Sequence, residues 1–467
     1  MFIFGKKMKY HSQTIELDNL IKNKARYIFL RGSGGTGKSY TIGKFVEMHG
    51  SRHQDYVFVG PTGKSVAIAE EKGIQGATIH SFFEIRTNNT KEDITKFILK
   101  KFKSKEKYLT TMKLKLYNIK YFFIDEISMV NYDLLFHILQ VLILKGRKDL
   151  TIVIAGDYHQ LPPISEDVTN SKKLILELVQ DEAIEFIDFI TRYRSSNENY
   201  NQFLFDLRAG KQRNVNVICS YLENFFNIYR KRVPDEIKNK LTYLEYTNIK
   251  VQSINDEILA NLPGKVHTFE YELITNKFPQ EDPWRRNKII DDMQMDNVLE
   301  LKEGCKIIFR INSPEAQFKN GEEGIVQHIF SNSIQIKKMT NNAIINVSKY
   351  LFSSSEIDLK DGFEIESKQY PFSLGHARTI HKSQGDGFNH VHFNFDFLNS
   401  GALNTFKWHL LYTCLSRVKE PSEVWISEKS LRILKSQWYL LQDIKFNDLS
   451  LNLKGINTIE NIYIKNK

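Results

Sequence analysis

Three cysteines in 467 residues are too few for a disulfide framework, and Cys219, Cys305 and Cys414 stand apart without the spacing of a zinc site. A reducing compartment suits such a chain. Long apolar runs are also missing. The longest, Leu134 to Leu144, is interrupted by His137 and Gln140 and falls far short of the roughly 20 residues that a bilayer crossing needs. The opening residues, MFIFGKKMKYH, lack the basic segment followed by an apolar one that marks a secretory signal. No internal repeat is present. These absences set aside secreted, membrane-spanning and repeat classes, and leave the cytosol, including that of a phage-infected host cell, as the expected location.

Hydrophobic residues make up 41% of the chain and charged residues 26%, the balance of a globular protein. The length implies about three or four units. A net charge of +10 favours a polyanionic partner. Between Lys91 and Lys115, nine lysines face Glu92, Asp93 and Glu106, so six of the ten net charges fall in 25 residues.

One stretch organises the rest. Tyr27 to Met48, YIFLRGSGGTGKSYTIGKFVEM, reads as an apolar strand, a glycine-rich loop and the start of a helix. Gly32, Gly37, Lys38 and Ser39 fill the fixed positions of G-x-x-x-x-G-K-[ST]. Gly34 and Gly35 let backbone N–H groups turn inward where a side chain would clash. The helix dipole favours phosphate, Lys38 can reach the β- and γ-phosphates, and the Ser39 hydroxyl can ligate magnesium. A nucleoside triphosphate site follows.

Ahead of this loop, Gln13 opens an amphipathic helix in which Ile15, Leu17, Leu20 and Ile21 can share one face; the glutamine could read an adenine edge or simply lie exposed. A second strand, Tyr56 to Val59, ends in Gly60-Pro61-Thr62-Gly63-Lys64, where parallel sheets place their ligands. Ala77-Thr78-Ile79-His80-Ser81 follows. Tyr121 to Ile124 is a buried strand ending in Asp125-Glu126, suited to holding magnesium and to orienting or deprotonating the attacking water. Thr151 to Ala155 runs into Gly156-Asp157-Tyr158-His159-Gln160-Leu161-Pro162-Pro163. Leu241 to Tyr246 opens a second sheet. From Asn261 to Glu303 the pattern weakens, with Pro263, Pro279 and Pro283 breaking it. Between Gly304 and Phe372, short strands separated by Asn320-Gly321, Ser331-Asn332 and Asn341-Asn342 read as a small β-barrel. Val391 to Phe395 and Glu423 to Ser427 return to the sheet.

In this order, GSGGTGKS, GPTGKS, ATIHS, IDEIS and GDYHQLPP resemble the motifs of superfamily 1 nucleic-acid helicases, most of all the B-type group of RecD-like and Dda-like phage helicases. Thr191-Arg192-Tyr193-Arg194-Ser195, the run Ala377 to Gly385 (ARTIHKSQG) and Leu411 to Arg417 (LYTCLSR) extend the likeness, with Thr413-Cys414 departing from the usual small residues. The resemblance implies an α/β protein of two RecA-like P-loop lobes. A helical or pin insert interrupts the first lobe and an SH3-like barrel the second. The corresponding boundaries are 1–83 with 118–185 for the first lobe, 84–117 for the lysine-rich insert, 186–303 with 373–467 for the second lobe, and 304–372 for the barrel.

The resemblance also implies an ATP-dependent DNA helicase that moves 5′ to 3′ as the lobes close and open. Catalysis falls to Lys38, Asp125, Glu126, Gln160, Arg194 and Arg417, the two arginines facing the γ-phosphate. ATP would be held by Gln13, Gly32, Gly34, Gly35, Thr36, Gly37, Lys38, Ser39 and Tyr40, and Mg2+ by Ser39 and Asp125. Pro61, Thr62, His80, His381 and Ser383 are the candidates for holding the strand, with Lys96, Lys100 and Lys103 at the fork. In the insert, Ile94, Phe97, Ile98 and Phe102 recur at helical spacing. The expected partners are single-stranded and forked DNA, with RNA left open, and a single-strand-binding or replication protein; a monomer is expected and a membrane is not. The alternative is a P-loop kinase or switch-type NTPase, which predicts one α/β lobe.

Overall fold

The computed structural model describes residues 12–49, 55–85, 106–163, 172–180, 183–211, 213–238, 240–277, 295–313, 315, 317–353 and 364–442. Six strands form the first sheet: β1 (Tyr27–Gly32), β2 (Tyr56–Gly60), β3 (Ala77–Thr78), β4 (Tyr121–Ile124), β5 (Thr151–Gly156) and β6 (Ile184–Phe189). All pair in parallel, in the order β3-β2-β4-β5-β1-β6. A parallel sheet needs crossovers that cover both faces, which explains why its strands read as unbroken apolar runs. Alternate residues feed different cores: Phe29, Phe122 and Ile154 face one, whereas Ile28, Leu30, Phe123 and Val153 face the other. The sixth strand reaches Phe189, four residues beyond the expected boundary at 185.

The apolar run at 134–144 lies in helix Tyr132–Lys145, begun by Asn131, whose side chain accepts from Leu134 N–H. Its buried face carries Leu135, Ile138, Leu139 and Leu142. Among the described residues, no helix is long and apolar enough to cross a membrane. In the N-terminal helix Ser12–Lys22, Leu17 is fully buried, but Ile15 is 49% exposed and leaves the expected apolar face.

The chain then enters a second parallel sheet through β7 (Asn227–Tyr229) and β8 (Thr242–Glu245). It leaves that sheet for β9 (His267–Glu270), β10 (Glu272–Lys277), β11 (Val298–Leu301), β12 (Lys306–Phe309), β13 (Glu323–Ile329), β14 (Ile334–Lys338), β15 (Ile344–Val347), β16 (Tyr350–Ser353), β17 (Glu364–Gln369) and β18 (Phe372–Leu374). It returns through β19 (Ala377–Thr379), β20 (Val391–Phe393) and β21 (Val424–Ser427). The order is β19-β8-β20-β21-β7, all parallel. A second complete sheet contradicts the single-lobe kinase or switch alternative.

At the place of the expected barrel, β15-β14-β13-β12-β18 form a five-stranded antiparallel sheet. Its core holds Ile307, Phe309, Val326, Ile334 and Ile336, and Phe309 stacks on Phe318 at 4.1 Å. Two corrections to the sequence reading concern its neighbourhood. β16 and β17 leave the barrel and pair with β10 in a three-stranded sheet, and β9 pairs with β11. The stretch 261–303 therefore contributes ordered strands. Their partners lie up to 96 residues away, as in Glu272 opposite Lys368, and local periodicity cannot show such a pairing.

Of the lysine-rich insert, helix Glu106–Leu116 is described, and Tyr108, Met112 and Leu116 bury one face of it against the first lobe. Ile94, Phe97, Ile98 and Phe102, together with Lys96, Lys100 and Lys103, lie outside the described residues.

Candidate nucleotide and strand site

The glycine loop between β1 and helix Lys38–Met48 begins one wall of a cleft. Gly37 has φ 97°, a conformation that β-carbons disfavour, and the helix starts there. Thr36, almost fully buried, donates from its hydroxyl to Ser33 O at 2.8 Å and so shapes the loop. Lys38 Nζ donates to Gly32 O at 2.8 Å and Ser33 O at 3.0 Å. Burial lowers its pKa, and Asp157, Glu126 and Asp125 oppose that shift. An ammonium held only by carbonyls can exchange them for phosphate oxygens.

Two carboxylates stand opposite, at the end of β4. Ser39 Oγ donates to Asp125 Oδ2 at 2.6 Å, so the two hard oxygens expected of a magnesium site already converge. Glu126 has φ 51°, uncommon for a residue with a β-carbon, and its N–H donates to Asp125 Oδ1 at 2.9 Å. Burial and the adjacent Asp125 raise the Glu126 pKa, while Lys38, Arg417 and Arg194 pull it down. A carboxylate shifted upward is better matched to taking a proton than an ordinary one.

The cleft is closed from the second lobe. Arg417, at the end of helix Asn404–Ser416, is fully buried and donates to Gln160 Oε1 at 2.8 Å. Arg194 donates to Ser416 O at 2.9 Å and Gly385 O at 3.3 Å. Both guanidiniums lie on the glycine loop: a β-carbon at Gly34 would stand 2.7 Å from one and 3.0 Å from the other. Burial, and the mutual repulsion of Arg194, Arg192 and Arg417, work against the charge on Arg194. Guanidiniums this basic stay protonated nonetheless, and such a cluster calls for an anion. The cleft lining joins Gly34, Lys38, Ser39, Asp125, Glu126 and Arg194 in one space.

Two participants were not singled out from sequence. Arg192 is buried and donates to Gly34 O at 3.2 Å, Ser416 O at 2.8 Å and Val418 O at 3.2 Å, tying the phosphate loop to the second lobe. Tyr193 N–H donates to Gly35 O at 2.8 Å, and its side chain is 57% exposed. The Arg-Tyr-Arg spacing was the available signal. Asp157 is the other. It accepts from Tyr412 Oη at 3.1 Å, Arg208 Nε at 3.3 Å and Gln160 Nε2 at 3.3 Å. Burial works to raise its pKa, but Arg208, His159 and Lys38 hold it down at about 2.

The remaining candidates divide. Thr62 lines the cleft, and its hydroxyl caps helix Gly63–Glu70 by accepting from Ser65 N–H at 3.2 Å. Pro61, just after β2, and His80, in the short helix Ile79–Phe82 that follows β3, are half-buried. His381 stacks on Phe406 at 5.6 Å, and burial lowers its pKa. Ser383 requires correction as a strand contact: it is fully buried, and its hydroxyl donates to Ile380 O at 2.6 Å, so it shapes the turn. Gln13 accepts from Ser12 Oγ, and Tyr40 is 41% exposed with Lys44 over its ring.

Two parallel α/β lobes sharing one phosphate cleft, with arginines supplied by the second, define a motor-type nucleoside triphosphatase. A family model described as an AAA domain matches residues 19–166, which carry the phosphate loop and Asp125-Glu126. Over 414 residues the chain is 27% identical to the ATP-dependent DNA helicase Pif1 of Campylobacter jejuni, covering 85% of this chain and 87% of that protein. The crystal structure of the Pif1 helicase from Candida albicans superposes with a TM-score of 0.70 at 18% identity, covering 98% of this chain and all of that one. Bacteroides Pif1 in complex with ADP-AlF3 and single-stranded DNA gives 0.60 at 20% identity, over 90% of this chain and 93% of that one. Over most of its length the chain is thus similar to Pif1-type ATP-dependent DNA helicases, in keeping with the superfamily 1, B-type resemblance of its motifs.

Proposed function

We infer that this protein is an ATP-dependent DNA helicase that moves 5′ to 3′ along a single strand. The observation that carries the reading is the pair Arg417 and Arg194, brought from beyond the first sheet onto Gly34 beside Lys38 and Glu126. A γ-phosphate gripped from both sides draws the lobes together, and hydrolysis removes the bridge. Lys38 would neutralise the phosphates and Glu126 would orient and deprotonate the water. Ser39 and Asp125 would hold Mg2+, which supplies charge neutralisation when bound. One chain carries both halves of the cleft, so a monomer suffices.

Pro61, Thr62, His80 and His381 are the residues we assign to the strand, with 84–117 as the wedge. Forks with a single 5′ tail should be unwound and forks with a single 3′ tail should not. Unwinding only from 3′ tails would reject the B-type polarity and keep the helicase.

The lysines of the insert give a separate expectation. Replacing Lys96, Lys100 and Lys103 together with Ala should flatten the slope of log affinity against log salt by up to about 2, at roughly 0.7 for each phosphate contact on a single strand. Unwinding should slow while strand-free ATPase is unchanged. A parental slope and parental unwinding rate would make this segment a solvated face.

A further inference from the structure

A line of charged side chains runs from the first lobe to the barrel beside the nucleotide cleft. It centres on Asp386, next to the loop glycine Gly385. The backbone oxygen of Asp386 accepts from Arg417 at 3.3 Å, as that of Gly385 does from Arg194. Its carboxylate pairs with Lys64 Nζ, from helix Gly63–Glu70 of the first lobe, and with Arg378 on β19 at 3.0 Å. The other end of the Arg378 fork pairs with Glu323 on β13 of the barrel. Glu323 in turn lies 2.9 Å from Lys306 Nζ on β12, which donates to Thr242 Oγ1 on β8 at 2.6 Å.

The joints in this line differ in strength. Arg378 is 6% exposed, so separating it from its carboxylates would strand a buried charge. Burial, then Arg378, lowers the Lys306 ammonium to about 7, and Lys64, Asp386, Arg378 and Glu323 already balance as two cations and two anions. Lys64 is more open, with 20% of its side chain exposed. If it withdraws, water can solvate it and Asp386 keeps Arg378. The barrel also meets the first lobe here: a β-carbon at Gly321 would stand 3.5 Å from the Lys64 side chain, and Lys319 lies 3.9 Å from Glu71.

We propose that this line of ion pairs couples closure of the nucleotide cleft to the barrel, with Lys64 as the positioning residue that engages when the lobes meet. The Lys64–Asp386 pair is the joint that makes and breaks. Arg378 and Glu323 are the joint that holds, so the barrel follows the loop whose backbone the two arginines grip. The inference rests on the helicase reading, because its output is strand movement.

The test uses the full chain with Lys64→Met. Strand-stimulated ATP turnover should stay within about threefold of the parent, as befits a residue outside the phosphate cleft. Unwinding should fall about tenfold, which raises the ATP consumed per base pair, and Lys64→Arg should restore it. On the barrel side, Glu323→Gln should reproduce the loss, and combining it with Lys64→Met should add nothing further. Unchanged unwinding in Lys64→Met, a parallel fall of ATPase and unwinding, or multiplying losses in the double variant would overturn the coupling. Should Glu323→Gln lose its cooperative melting transition, the two Lys64 variants decide alone. A parent that hydrolyses ATP but opens no fork would overturn the helicase reading instead. The coupling would then be judged by fluorescence transfer between dyes at positions 22 and 332. A distance change on adding ADP with aluminium fluoride, lost in Lys64→Met, supports it, and a change that survives overturns it.

Discussion

Replacing Arg417 with Ala should lower the kcat of strand-stimulated ATP hydrolysis by roughly three or more orders of magnitude. The guanidinium is fully buried, lies against Gly34 of the phosphate loop and is aimed by Gln160 Oε1 at 2.8 Å and Ser416 Oγ at 2.9 Å. Charge held in place before the reaction costs no reorganisation when the γ-phosphoryl group separates, so its loss falls on kcat. Nucleotide affinity should change far less, because Lys38 and the loop N–H groups remain. Arg417→Lys keeps the charge without the planar fork and should recover only part of the rate. The measurement is phosphate release at saturating strand, beside binding of a fluorescent nucleotide and a melting curve. Turnover near the parental rate in a folded Arg417→Ala variant would remove the second lobe from the chemistry.

Glu126→Gln should all but stop hydrolysis while keeping the nucleotide, with a loss of about two to four orders of magnitude in kcat. The amide has the same shape and can keep the backbone at φ 51°, so the change removes proton acceptance and charge alone. It also relieves repulsion with Asp125, and ATP should bind as well or better. The sign of the pH dependence follows from the same group. Burial and Asp125 raise its pKa above the ordinary glutamate value, and a base works only when deprotonated. The parental rate should therefore fall as pH drops through that raised pKa, and the residual rate of Glu126→Gln should lack this acidic limb. Single-turnover hydrolysis across pH distinguishes the cases. An unchanged acidic limb in the variant would assign it to another group.

Of these two residues, Glu126 stood in a pattern visible in the sequence, whereas Arg417 was assigned through the family resemblance. Lys38 and Ser39 follow a glycine loop because only such a loop lets N–H groups converge on phosphate, and Asp125-Glu126 ends a strand apolar enough to be central. Those constraints act within a few residues, so local pattern records them. Ser383 shows the limit. It sits inside the most specific motif of the second lobe, yet its hydroxyl is spent on Ile380 O, and spacing cannot say which way a side chain turns. Arg192 is the converse case. It resembles any surface arginine until its donors are found on Gly34, Ser416 and Val418.

The sequence by itself determined the phosphate loop, the acidic strand end and the site of the barrel, each resting on periodicity or contiguous backbone geometry, while the two lobes were implied by the family resemblance of its motifs. Tertiary structure decided what depends on distant partners. It paired β10 with β17 across a gap that local pattern cannot bridge, and it set Arg417 beside Gln160, 257 residues apart in the chain. It also drew Lys64, Asp386, Arg378 and Glu323 into one line. A buried charge is tolerable only where an opposite charge and hydrogen bonds meet it, and the fold alone fixes which groups meet.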